Sequence, residues 1–134
     1  MADTAISSRV SRYGQIEDIL RHYSSGALTA ANDKWRWVIP CYGRIVDVIC
    51  DSATAGSGGT SDIIDVHVNG TTIYTTQDNR PTLLVGNTGL FSEADAGPDG
   101  TLTVVPGDVV SYDVDQIATT GSALFTITIL IVGR

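Results

Sequence analysis

The stretch Ile63-Ile64-Asp65-Val66-His67-Val68-Asn69-Gly70-Thr71-Thr72-Ile73-Tyr74 decides the fold class. β-Branched residues dominate both halves, and Asn-Gly sits between them. A two-residue hairpin loop of the type I′ kind needs positive φ at both central positions, which Asn and Gly tolerate best. The stretch therefore predicts two antiparallel strands, residues 62–68 and 71–77.

Working outward, the period of two continues from about residue 33 to the C-terminus. Residues 34–39 alternate Trp35, Trp37 and Ile39 with Lys34, Arg36 and Val38. Residues 44–53 are dense in Ile and Val. Short strands follow at 81–85 and 101–105, the latter stopped by Pro106-Gly107. Residues 108–117 and 122–132 are expected to form a second hairpin across residues 118–121. The Gly/Ser-rich stretch 51–61 and the turn-rich crossover 86–100 read as loops. Eight strands with turn signals every 8–12 residues predict a mainly β protein, a single eight-stranded antiparallel β-sandwich of jelly-roll type.

Ahead of the strands, residues 1–10 read as an irregular arm. Residues 11–25 read as one short helix, since Tyr13, Ile16, Leu20 and Tyr23 fall on one helical face. Ser11 can cap its start and Gly26 suits its end. Such a helix is too short to be stable alone, so its apolar face needs a partner. Two units are thus expected: residues 1–32 as an arm and helix that anchor, and residues 33–134 as the sandwich.

The chain has 134 residues, 14 glycines and a net charge of −7. The charge is uneven. Residues 1–50 hold six basic and five acidic groups (+1), and residues 51–134 hold two basic and ten acidic groups (−8). An acidic chain argues against nucleic acid as a partner. No apolar run is long enough to span a bilayer, and no secretory signal is visible at the start. Cys41 and Cys50 would lie about 30 Å apart on one regular strand, beyond disulfide reach. Two free thiols are expected, and with His22 and His67 they give no zinc spacing.

Each candidate for chemistry has a structural counterpart. Asp113 and Asp115 fall on one strand face, with Asp65 and Asp47 similarly placed in two other strands. A glycosidase needs two carboxylates at roughly 5–9.5 Å with one desolvated. The sequence supplies no identifiable apolar pocket, so a solvated sheet face is the better reading. Glu93, Asp95 and Asp99 offer oxygens to calcium, but their spacing does not match an EF-hand loop and turn chemistry explains Pro98-Asp99-Gly100. Trp35 and Trp37 share a face, with three uses open: core, a protein interface or a sugar-stacking platform with Tyr42. His67 faces the same way as Asp65 and Asn69 and has no nucleophile to activate. Gly56-Ser57-Gly58-Gly59 lacks the Lys and the helix of a phosphate loop. Residues 122–132 are apolar on one face (Ala123, Phe125, Ile127, Ile129, Ile131). Leu124, Leu130 and Val132 on the other face suggest that this side too is covered, by the helix or by another subunit.

Two further stretches complete a pattern with residues 63–74. They are Gln77-Asp78-Asn79-Arg80-Pro81-Thr82-Leu83 and Val105-Pro106-Gly107-Asp108-Val109-Val110-Ser111-Tyr112-Asp113-Val114-Asp115-Gln116-Ile117. In this order, residues 45–132 resemble a small β-sandwich module of tailed-bacteriophage virion proteins: fibre, decoration (cement) and minor capsid proteins with jelly-roll-like folds. The resemblance covers about two-thirds of the chain and carries no catalytic residues. It implies a virion structural protein assembled in the host cytoplasm, not an enzyme, with no cofactor. The expected partners are copies of itself, a trimer being favoured, and major capsid or tail proteins bound through residues 1–30. The residues expected at interfaces are Arg9, Arg12, Tyr13, Ile16, Leu20 and Tyr23 in the arm and helix. Trp35, Trp37, Phe125 and Ile129 are expected in core or subunit contacts. The alternative function is a carbohydrate-binding module or receptor-binding fibre domain.

Overall fold

A computed structural model of the chain describes residues 3–10, 16–86, 90–93 and 98–133, with side-chain surroundings for 18–86 and 98–133. The described residues form eleven strands: β1 (Asp3–Val10), β2 (Ile16–Ser24), β3 (Ala31–Val38), β4 (Gly43–Thr54), β5 (Asp62–Val68), β6 (Thr71–Thr72), β7 (Thr82–Leu83), β8 (Leu90–Glu93), β9 (Thr103–Val104), β10 (Val109–Gln116) and β11 (Ala123–Gly133). One 3-10 turn, Gln77–Asn79, is the only helical element among them. The strands make two antiparallel sheets. The six-stranded sheet runs β1-β2-β11-β4-β8 with β9 also on β4, and the five-stranded sheet runs β3-β10-β5-β6 with β7 also on β5. The mainly β, two-sheet expectation holds, with eleven strands in place of eight.

The sheets bury a shared core. Leu20, Val48, Cys50, Phe125, Ile127, Ile129 and Ile131 enter it from the six-stranded sheet, and Trp37, Ile64, Val66, Val110, Tyr112 and Val114 from the other. Full burial of an aliphatic or aromatic side chain stabilises by about 1.5–3 kcal/mol before entropy is set against it. Val109 pairs with Val38, Val110 with Val68, and Tyr112 with both Trp35 and Val66, which fixes β3, β10 and β5 of the five-stranded sheet in register.

Two expectations about connectivity are corrected. Residues 1–32 are not an irregular arm and a helix. Residues 3–10 and 16–24 form an antiparallel hairpin pair, and β2 continues onto β11 with Leu20 opposite Ile129. Residues 11–15, the first half of the expected helix, lie outside the described residues. The long edge of β11 offers backbone hydrogen bonds that a marginal helix cannot match, so non-local pairing overrides local spacing. Secondly, β10 and β11 do not form a hairpin, because they belong to different sheets.

The crossover between β10 and β11 is held by a buried carboxylate. Asp62 Oδ1 accepts a hydrogen bond from the Ala118 amide at 2.7 Å, and Oδ2 accepts one from the Ser122 amide at 2.9 Å. Asp62 is fully buried. The Gly/Ser loop is fixed on the same crossover: Ser57 and Thr120 exchange backbone hydrogen bonds, each 2.9 Å. Gly121 lies so close to Leu28 that a Cβ there would sit 2.3 Å from the Leu28 carbonyl oxygen. Where the sequence predicted a type I′ turn, Asn69 and Gly70 take φ of 51° and 83°.

Candidate functional site

The densest group of titratable side chains lies on the outer face of the five-stranded sheet. On β10, Val110, Tyr112 and Val114 point inward, so Ser111 and Asp113 point out. Asp113 pairs directly with Asp65 on β5. Like charges placed opposite each other destabilise a sheet. His67 lies between them and, in its protonated form, reduces that cost: its Nδ1 is 3.3 Å from Asp113 Oδ2 and its Nε2 is 3.9 Å from Asp65 Oδ2. These are ion-pair approaches, since His67 Nδ1 lacks hydrogen-bond geometry.

Each carboxylate is also held by the fold. Asp65 Oδ1 accepts from the Thr72 hydroxyl at 2.6 Å and from the Val66 amide at 2.8 Å. Asp113 Oδ1 accepts from the Asp33 amide at 2.7 Å, where Asp33 adopts a left-handed φ of 50°. Burial pushes the Asp65 carboxyl up, with the Thr72 hydrogen bond and the nearby His67 acting against it. On the same face Arg80 Nη1 pairs with Asp115 Oδ2 at 2.7 Å. An open groove of about 370 Å³ runs over this face, lined by Asn32, Asp33, His67, Gly70 and Asp113.

Asp113 and Asp115 were expected on one solvated face. Asp115 is exposed, but Asp113 is only 7% exposed, because it lies in the central strand between β3 and β5. Asp47 belongs to the other sheet, where its Oδ1 accepts from the Val48 amide. Asp99 is exposed and accepts from the Thr76 amide at 3.0 Å. Asp95 lies outside the described residues, and of Glu93 only its strand is described. Among the described residues no group of three or more His, Cys, Asp or Glu is arranged to hold a metal ion.

The ten expected interface residues separate widely. Arg9 lies in β1 opposite Glu17, and Ile16 opens β2 opposite Val10. Arg12 and Tyr13 lie outside the described residues. Leu20, Phe125 and Ile129 are completely buried within the chain, and Trp37 is 2% exposed. Tyr23 is half-buried on the outer face of the six-stranded sheet. Trp35 is half-buried and stacks on His22, with ring centroids 4.5 Å apart and planes at 13°. Of the three aromatics considered for sugar stacking, Tyr42 alone is freely exposed, at 63%.

Sequence reasoning missed two polar contacts made by inward side chains of β2. His22 Nδ1 lies 2.9 Å from the Tyr112 hydroxyl. Burial lowers the His22 pKa below its ordinary value, and Lys34 adds to this. The Cys41 thiol donates to buried Asp18, and burial together with that carboxylate pushes the thiol up to about 11. Both cysteines are free, and Cys50 is buried in the core with its thiol pushed far up by desolvation. A scan against protein-family models and a search of the curated proteins each found no match.

Proposed function

We propose that the chain is a structural protein of a tailed-phage virion. It is a decoration, cement or head/tail-attached component that stabilises the particle by burying interface area, assembled in the host cytoplasm. The observation that carries this reading is how the acidic side chains are engaged. Asp62, Asp99, Asp108 and Asp113 each accept hydrogen bonds from backbone amides of other strands or turns, and Asp65 accepts from the next amide of its own strand and from the Thr72 hydroxyl. A carboxylate held this way braces a turn or a crossover. The fold supports the same reading, since two sheets braced at their crossovers form a rigid block with broad faces for neighbouring subunits.

The proposal places copies of the chain against one another and against capsid or tail proteins. The N-terminal hairpin is the natural candidate for the second contact, because β1 is an edge strand of eight residues. An edge strand of that length is a template for strand addition by another chain. Comparing particles assembled with and without the protein tests the role. Particles lacking it should release their genome at lower temperature. Equal thermal release would overturn the proposal.

A further inference from the structure

We propose that the outer face of the six-stranded sheet is where two copies of this chain meet. This deepens the interface reading above and rests on it, by naming the surface and its occupant.

The two outer faces are finished differently. The outer face of the five-stranded sheet carries the Asp65–His67–Asp113 group and the Arg80–Asp115 pair, with Val38 exposed on its edge strand β3. The six-stranded sheet turns Asp18, Leu20 and His22 of β2 inward, which puts Ile19, Arg21 and Tyr23 outside. In register with Ile19 stands Leu130 of β11, and beyond it Asp47 of β4. Val132, Ile49 and Val46 extend the apolar area, Val46 being 40% exposed. Every named strand of the described residues belongs to one of the two sheets, so no third layer of described strands lies over this face. The expected helix that would have covered it is strand β2 itself.

Charge selects the occupant. The chain carries −7, so two copies repel wherever acidic surfaces meet. The described charged side chains on this face, Arg21, Arg44, Asp47 and Asp51, cancel. Arg44 and Asp51 also stand toward opposite ends of β4, opposite Val132 and Thr126 of β11. A two-fold axis across the strands therefore sets the arginine of one copy toward the aspartate of the other. Described side chains that are neutral in sum, apolar and self-complementary, on a strongly acidic chain, suit a second copy of that chain. The area is sufficient: five strands at about 4.8 Å by about eight residues at 3.3 Å give roughly 600 Å² of planar face. A rough molecular surface over it approaches the roughly 800 Å² per partner of a stable interface.

Sedimentation of the full chain between about 1 and 100 μM tests this directly. The expected mass at the upper end is at least twice the 14.1 kDa of one chain. Val46→Lys and Leu130→Glu should each weaken association at least tenfold. Val46 is exposed enough to accept a lysine without unfolding, so circular dichroism of that variant should match the wild type. Arg36→Glu, on the opposite sheet, should leave association unchanged. A chain that stays at 14.1 kDa throughout overturns the proposal. So does a folded Val46→Lys variant with wild-type mass, or an Arg36→Glu variant that dissociates as readily. A monomer found on purified particles would sink this inference but not the virion role. A self-associating chain absent from particles would do the reverse.

Discussion

Replacing Asp62 should unlock the crossover that sends the chain from one sheet to the other. Its two carboxylate oxygens satisfy the amides of Ala118 and Ser122, both buried, at 2.7 and 2.9 Å. In Asp62→Ala both amides lose their acceptor in a place water does not reach. Each buried donor left unmet costs about 1–3 kcal/mol, so the gross loss is about 2–6 kcal/mol. Relief from burying a carboxylate offsets part of this, leaving about 2–4 kcal/mol net. Asp62→Asn keeps one acceptor and sets an amide donor against the other N–H, so its loss should be intermediate. With a urea slope of about 1.5 kcal/mol/M, 3 kcal/mol moves the unfolding midpoint down by about 2 M. Amide exchange should accelerate at Ala118 and Ser122 before it does in β11. Midpoints within about 0.3 M of wild type for both variants would refute the reasoning.

Other outcomes follow from the same contacts. The folded His22 pKa lies below its unfolded value near 6.5, so the folded state takes up its proton later than the unfolded chain. Stability is therefore unaffected by His22 above pH 6.5 and falls below it, until the depressed folded pKa is passed. His22→Gln should flatten that part of a stability-versus-pH curve, and an unchanged slope would exclude His22 as its source. A thiol reagent at pH 8 should leave Cys50 unmodified in the native chain and label Cys41 slowly, because the reactive thiolate is scarce at both. Fast labelling of either would contradict the contacts described. Deleting residues 1–10 removes only the edge strand and should leave a cooperative melt. Deleting 1–30 removes Leu20 and His22 from the core and should abolish it.

The sequence made parts of this fold legible and concealed others for identifiable reasons. Asn69-Gly70 was readable because a type I′ turn depends on two residues' own φ preferences, with no help from distant chain. The inward set Trp35, Trp37 and Ile39 was readable because apolar residues alternate cleanly there. Strand β2 was hidden because its inward positions include Asp18 and His22. Their partners, Cys41 and Tyr112, lie 23 and 90 residues away. Polar residues turned inward erase the period of two, and the remaining apolar spacing at 16, 20 and 23 imitates a helix. The crossover at 118–121 resembled a hairpin because nothing local shows which sheet the next strand joins, and Asp62 decides that from 56 residues away. At the candidate site, the shared direction of Asp65 and His67 was visible. The burial of Asp113 was not, since it depends on β10 being central in its sheet.

The most direct test of the proposed structural role is the protein composition of density-purified virions from the source that encodes this chain. A particle-stabilising component should be present in tens of copies or more, in fixed ratio to the major capsid or tail protein, and should resist washing at high salt. Its absence from purified virions, or its presence only in the soluble lysate, would contradict that role.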